Sequence, residues 1–268
     1  MGLFNEIDEI AQKQNIRSDI GNNIISGIIV GTVTENYNKE YPGRVCVEIP
    51  QRDKGANVLK WARVALPYVG KKWGTYYIPE IGDQVLLAFE DGNIEKPFVI
   101  GCVPTANSTF ISSSSDEYNQ KKVITSRNGN SITIIDANEG DGEKDKISIK
   151  TAKDEFHVLL DNENHKLEIS DKEKKNSIVF NSENGTVRIN AEKKLDITVG
   201  DAAININGES NKIGIKCGKM KLSSDDSIKT ETSMFKLEAQ NVNISASSTF
   251  KAEGGSTAVV NGQVVKIG

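Results

Sequence analysis

Residues 156–190 read FHVLLDNENHKLEISDKEKKNSIVFNSENGTVRIN. Apolar side chains stand two apart, at Phe156/Val158, Leu167/Ile169, Ile178/Phe180 and Val187/Ile189, and short polar turns separate the pairs. A period of two gives each strand one apolar face and one wet face. The pattern continues on both sides. Upstream it takes in Ile132/Ile134 and Ile147/Ile149. Downstream it takes in Leu195/Ile197, Ile204/Ile206, Ile213/Ile215, Met220/Leu222, Phe235/Leu237 and Val242/Ile244. Steps between pairs run at roughly 9 to 11 residues near Phe156–Ile178 and roughly 7 to 9 from Leu195 onward. Short steps with no helix between strands point to a solenoid or fibre, not a compact domain.

The residues before this ladder have a different character. All six prolines and both tryptophans lie before residue 105. A strand that donates hydrogen bonds on both edges excludes proline, so the proline-free region is the ladder. Residues 24–104 read as closely spaced strands: IISGIIVGTVTENY, GRVCVEIP, WARVALP, GTYYIP, DQVLLAFE and PFVIGCV. Gly27 and Gly31 suggest a bend or bulge in the first. Tyr41-Pro42-Gly43, Gly82-Asp83 and Asp91-Gly92 mark turns. Five or so strands without a long helix suggest a small closed barrel. Residues 105–122 are a Ser-rich polar connector. Leu3, Ile7, Ile10 and Ala11 fall on one face of a short amphipathic helix over 3–15, which packs on its own domain or on a partner. The expected organisation is therefore an arm over 1–23, a barrel over 24–104, a linker over 105–122 and a spike over 123–268.

Charge names no polyanion partner. The chain carries 33 Lys+Arg against 37 Asp+Glu, with both signs interspersed. Three cysteines, Cys46, Cys102 and Cys217, lack metal-ligand spacing and fit a protein made in a reducing cytosol. No apolar run is long enough to span a membrane, and the N-terminus lacks the pattern of a signal peptide.

Candidate chemistry is sparse. His157 lies between Phe156 and Val158 and points outward; His165 sits in a polar turn. A metal site tripled by symmetry is the alternative, but neither has a third ligand nearby. Asp225/Asp226 and Glu90/Asp91 read as turns rather than acid–base couples, and Asn128-Gly129-Asn130 reads as a tight turn rather than a phosphate cradle. Trp61, Trp73, Tyr76 and Tyr77, with Arg63, Lys71 and Lys72, form a modest basic-aromatic cluster. Barrel core and a loop against a neighbouring subunit account for it better than nucleic-acid binding does. No catalytic, cofactor-binding or metal-ligating residue is assigned.

The stretch Pro42–Pro104 resembles the phage baseplate assembly protein V family, which includes contractile-tail central spikes and the valine-glycine repeat proteins of type VI secretion. The matching residues are PGRVCVEIP (42–50) and WARVALPYVGKKWGTYYIPEIGDQVLLAFEDGNIEKPFVIGCV (61–103). The resemblance implies an all-β chain: an oligonucleotide/oligosaccharide-binding-type (OB) barrel followed by a trimeric triple-stranded β-helix needle. Three chains would wind together, each strand's neighbours coming from other chains, and some 14 strands would make a needle of roughly 65 Å. A monomeric β-solenoid is the alternative architecture.

The resemblance also implies the job. The chain would be a structural, membrane-piercing spike, not an enzyme, without cofactor or nucleic acid. It would be assembled in the bacterial cytoplasm and carried at the tip of a tail, baseplate or extracellular injection particle, touching a target envelope transiently. Three departures from the family stand out. There is no room for a lysozyme domain between barrel and needle, only about 24 residues precede the barrel, and the His-x-His iron clasp of some phage spikes is missing. These imply a separate hub protein and leave the tip either self-capped or closed by a small separate protein. The rival functions are a cell-wall hydrolase spike and an effector-carrying type VI spike.

Overall fold

The computed structural model describes residues 25, 27–50 and 57–266. The helix expected over 3–15 lies outside the described residues.

Five strands close the barrel: β1 (Ile29–Glu35), β2 (Arg44–Ile49), β3 (Val58–Val64), β4 (Gln84–Phe89) and β5 (Pro97–Val103). Their spatial order is β1-β2-β3-β5-β4, and β4 returns to pair with β1. All contacts are antiparallel except β3 with β5. Alternation fills the interior. Val45, Val47 and Ile49 of β2 meet Val33, Ala62, Val85, Leu87 and Val99, all almost fully buried. Gly31 lies on β1 where a Cβ would stand 2.6 Å from Leu87 Cδ1 and 3.0 Å from the Glu48 carbonyl oxygen. The glycine is there for close approach, while the register shift of β1 falls between Val33 and Glu35.

One expected strand is absent. GTYYIP forms no strand; the span between β3 and β4 holds only an isolated bridge, Val69 to Gly74. The physical reason is the closure itself. The place beside β3 is taken by β5, running parallel, so the barrel leaves no slot for a strand between β3 and β4. The 105–122 connector is likewise not featureless. It carries a short helix, α1 (Thr109–Ser114), whose first turn is capped by the Ser108 side chain.

The ladder begins at β6 (Lys121–Thr125). It continues through β7 (Ser131–Ile135), β8 (Lys146–Lys150), β9 (Phe156–Asp161), β10 (Lys166–Asp171), β11 (Ser177–Asn181) and β12 (Thr186–Asn190). These form one antiparallel sheet in sequence order. The expectation that neighbouring strands come from other chains therefore fails over 121–190. Tight turns are the cause. Ser126 N–H donates to the Asn130 carbonyl across Gly129 (φ +94°), and His165 (φ 49°) and Gly185 (φ 66°) turn two further hairpins. Each strand thus reaches its sequence neighbour before it reaches another chain. Arg127, in the first of these turns, pairs with Glu80 of the barrel's long loop at 2.9 Å.

The chain divides into two compact units. The first runs through Leu195 and includes Asn207–Asn211; the second holds Asp196–Ile206 and the residues from Lys212 onward. A three-stranded sheet follows the first, made of β13 (Lys194–Val199), β14 (Ala202–Asn207) and β15 (Lys212–Lys216). Beyond Lys216 no strand forms within the chain among the described residues, so the strands expected at Met220/Leu222, Phe235/Leu237 and Val242/Ile244 are not there. An isolated extended segment has no partner for its backbone groups, and hydrogen bonding to a neighbour is what makes a strand.

Candidate functional site

The register of β6–β12 sorts its side chains onto two faces. On one, Ile124, Ile132, Ile149, Val158, Ile169, Ile178 and Ile189 form a continuous row across all seven strands. A second row on the same face runs Ile134, Ile147, Leu160, Leu167, Phe180 and Val187, with Lys122 at its β6 end. Within one chain this face is largely uncovered; Ile147 is 40% exposed and Ile189 52%. The exposed apolar area is on the order of 1,000 Å², well beyond the few hundred usual on a monomeric protein.

The opposite face is mixed, with Val123, Thr133, Ser148, Leu159, Glu168, Val179 and Arg188 in its central row, and its buried polar groups are paired. Glu168 is 2% exposed. Its carboxylate pairs with Lys166, accepts from Ser170 Oγ at 2.9 Å and meets Lys174 Nζ at 2.9 Å. Burial alone would raise its pKa. The hydrogen bonds from Lys166, Lys174 and Ser170 and the charge on Lys166 outweigh that and bring it down to about 2. Beside it, Ser148 Oγ and His157 Nε2 stand 2.9 Å apart. Burial, then the nearby Lys150 charge, lowers the pKa of His157. His157 thus does face away from the apolar rows, but it is half-buried and hydrogen-bonded rather than a simple surface residue. His165 sits in its turn. Among the described residues no group of three His, Cys, Asp or Glu could hold a metal, and no buried side-chain polar atom lacks a partner.

The asymmetry extends to the end of the chain. Every described residue from 217 to 266 is exposed, Leu222, Met234, Phe235 and Val260 each by 70% or more. Solvent tolerates scattered apolar residues, but not an entire uncovered segment of them.

The basic-aromatic cluster does not assemble as one patch. Trp61, on β3, stacks on Tyr41 with ring centroids 5.9 Å apart, and the Arg44 guanidinium lies 5.3 Å from the Tyr41 ring centre. Arg63 lies over Phe98 at 4.0 Å. Carboxylates neutralise this wall: Glu90 pairs with Arg63 at 2.7 Å and Lys96 at 3.0 Å, and Lys60 meets Glu95 at 2.6 Å. Lys96 first, then Arg63, holds the Glu90 carboxyl below its ordinary range. Trp73 instead belongs to the loop after β3, where its indole covers Gly70. Tyr76 and Tyr77 of that loop line a groove with Ile124, Ile132 and Ile149. Sequence reasoning missed that these tyrosines meet the start of the ladder. Their failure to alternate with polar residues was the available signal.

The chain thus joins a closed five-stranded barrel of order β1-β2-β3-β5-β4, of the OB type, to a seven-stranded antiparallel sheet. Residues 29–103 match the type VI secretion system/phage-baseplate injector OB domain. Through this barrel the chain is similar to baseplate protein V and type VI spike proteins.

Similar curated proteins come from Pseudomonas aeruginosa. The type VI secretion system spike protein VgrG1a is 32% identical over 87 residues, which is 31% of this chain and 14% of that protein. The spike protein VgrG2a is 34% identical over 76 residues, 27% of this chain and 9% of that protein. The similarity thus spans one-seventh or less of these relatives' length.

Proposed function

We propose that this chain is the central spike of a contractile tail or injection machine, acting as a homotrimer whose barrel end docks on a separate hub protein. The observation that carries the reading is the uncovered apolar surface. One face of β6–β12 is largely uncovered within the chain and every residue from 217 to 266 is exposed, while the buried polar groups of the opposite face are paired. Copies of the chain around a common axis supply the cover, with the charged residues left outside. In this reading residues 24–104 form the base, 105–122 the link and 123–268 the shaft, with strand pairing between chains beginning beyond Lys216. The C-terminal end meets the target envelope first, and a small separate protein closes it.

The spike does no chemistry; it transmits force. Stacked strands with paired backbones resist load along the stack, and the dry core resists shear between chains. The test is to tag the chain in its parent cell and purify contractile particles. The tag is expected on the particle axis at the baseplate end, and particles lacking the chain are expected not to breach target cells. A tag spread along the sheath or absent from particles counts against the role.

A further inference from the structure

We infer that the barrel carries an open strand edge along β3 that takes up an extended, acidic segment of another protein by strand addition. The inference stands on the barrel alone and goes beyond the spike reading.

The edge follows from how the barrel closes. β3 pairs with β2 from Val58 through Arg63, but with β5 only at Arg63 and Val64. Ala65 N–H donates to the Val99 carbonyl, so the odd-numbered residues of β3 turn their backbone groups toward β5. Two residues earlier in each strand, the same pattern would give the Trp61 carbonyl the N–H of residue 97. Residue 97 is proline and has none. The chain before β5 also turns away: Lys96 N–H donates to the Asn93 carbonyl, and Glu90 N–H to the Lys96 carbonyl. Among the described residues nothing bonds the backbone of Leu59 or Trp61 on this side. The stretch from Val58 to Trp61 is therefore an edge about 13 Å long. Unpaired N–H and C=O groups in a row are a template for another strand.

The surroundings say what kind of strand. A cavity of about 330 Å³ lies at the gap, between Trp61 and Arg63 of β3 and Glu95 and Pro97 at the start of β5, with Arg44 and Glu90 also lining it. Here Glu90 serves both Arg63 and Lys96, and Glu95 serves Lys60. Arg44 is left over. It stands directly across from Arg63 in the β2–β3 register, over the Tyr41 ring, with no carboxylate partner among the described residues. Like charges directly opposite each other on a sheet are destabilising. A carboxylate entering the cavity relieves that repulsion and is a planar partner for a guanidinium. At the far end of the edge Glu48 is already engaged by Asn57 at 2.8 Å. Leu59, 56% exposed, adds an apolar contact on the same wall. The edge presents N–H and C=O groups in alternation, which another peptide backbone matches and a phosphate chain does not. The occupant is thus an extended polypeptide whose acidic side chain enters beside Arg44.

The test uses the full chain. Hydrogen exchange resolved to single amides compares Leu59 and Trp61, which face the gap, with Lys60 and Ala62, which face β2. The first two are expected to exchange at least about a hundredfold faster. The probe is the fluorescein-labelled peptide Thr-Val-Glu-Val-Thr, blocked at both ends. One control peptide carries Lys in place of Glu, and another is N-methylated throughout. The acidic peptide is expected to slow Leu59 and Trp61 and to bind at least about tenfold tighter than the Lys peptide. The methylated peptide is expected not to bind, and Arg44→Gln to abolish the preference for Glu. Leu59 and Trp61 as slow as Lys60 and Ala62 in the free protein would mean that this chain or a second copy fills the gap, which overturns the proposal. So does an acidic peptide that slows neither amide at millimolar concentration, or a preference for Glu that survives Arg44→Gln. A thymidine oligonucleotide that slows both amides where the peptide does not would make the edge a nucleic-acid site instead.

Discussion

Ile147→Asp separates assembly from folding. In the single chain Ile147 has 40% of its surface open, and it sits on a face that is largely uncovered within the chain. Closing that surface, about 75 Å² per copy, stabilises the assembly by about 2 kcal/mol per chain, or about 6 kcal/mol per trimer. The aspartate removes this and brings three carboxylates into a dry core, where unpaired charge is far more costly. Association is expected to weaken by at least about 10⁴-fold. Sedimentation velocity across a range of concentrations reads the mass, and circular dichroism checks that the strands survive. Ile147→Val removes one methylene, about 0.8 kcal/mol per chain, and gives a graded loss. Arg188→Glu, on the exposed outer face, leaves the mass unchanged. An Ile147→Asp protein that assembles as tightly as its parent refutes the claim that this face is buried between copies.

Glu168 predicts a pH dependence. Its folded pKa of about 2 lies below the ordinary 4.5, so its contribution is full above about 4.5 and is lost as pH falls through about 2. Glu168→Gln should destabilise the β9–β11 region by on the order of 3 kcal/mol at pH 7, and the difference from the parent should vanish near pH 2; equal denaturation midpoints at pH 7 would sink this account. Gly31→Ala forces a methyl group into Leu87 and the Glu48 carbonyl, costing roughly 1 to 3 kcal/mol of barrel stability. Hydrogen exchange at Val33 and Val85 should speed up, and unchanged protection would mean the barrel has room there. Incubated with peptidoglycan on a zymogram, the purified protein should leave no clearing zone; a cleared band at its mass would restore the hydrolase reading.

The barrel was legible because its strands alternate cleanly, as in Val45, Val47 and Ile49, and because the turn glycines fall where the chain reverses. GTYYIP misled because aromatic content mimics a strand, while strand order, a long-range property, decides whether a slot exists. Most of the ladder's apolar pairs up to Ile215 were legible, though on β9 the rows run through Val158 and Leu160 rather than Phe156 and Val158. Which chain supplies each neighbouring strand was not, because period two is identical for a hairpin and for an interwound strand. The turns decide that, and their positive-φ residues are mixed: His165 and Lys174 carry no turn signal of their own, unlike Gly129 and Gly185. The Glu168 cluster was equally hidden. Lys166, Ser170 and Lys174 lie close in sequence, yet an alternating Lys-x-Glu-x-Ser reads as an ordinary wet face until the register stacks it.

The central claim is that this chain completes its core only in threes. Native mass spectrometry of the purified full chain, at concentrations down to the nanomolar range, tests it most directly. The expected result is a single species of three times the 29.3 kDa chain mass, with no folded monomer. A stable monomer whose apolar ladder and residues 217–266 are protected from hydrogen exchange would contradict it.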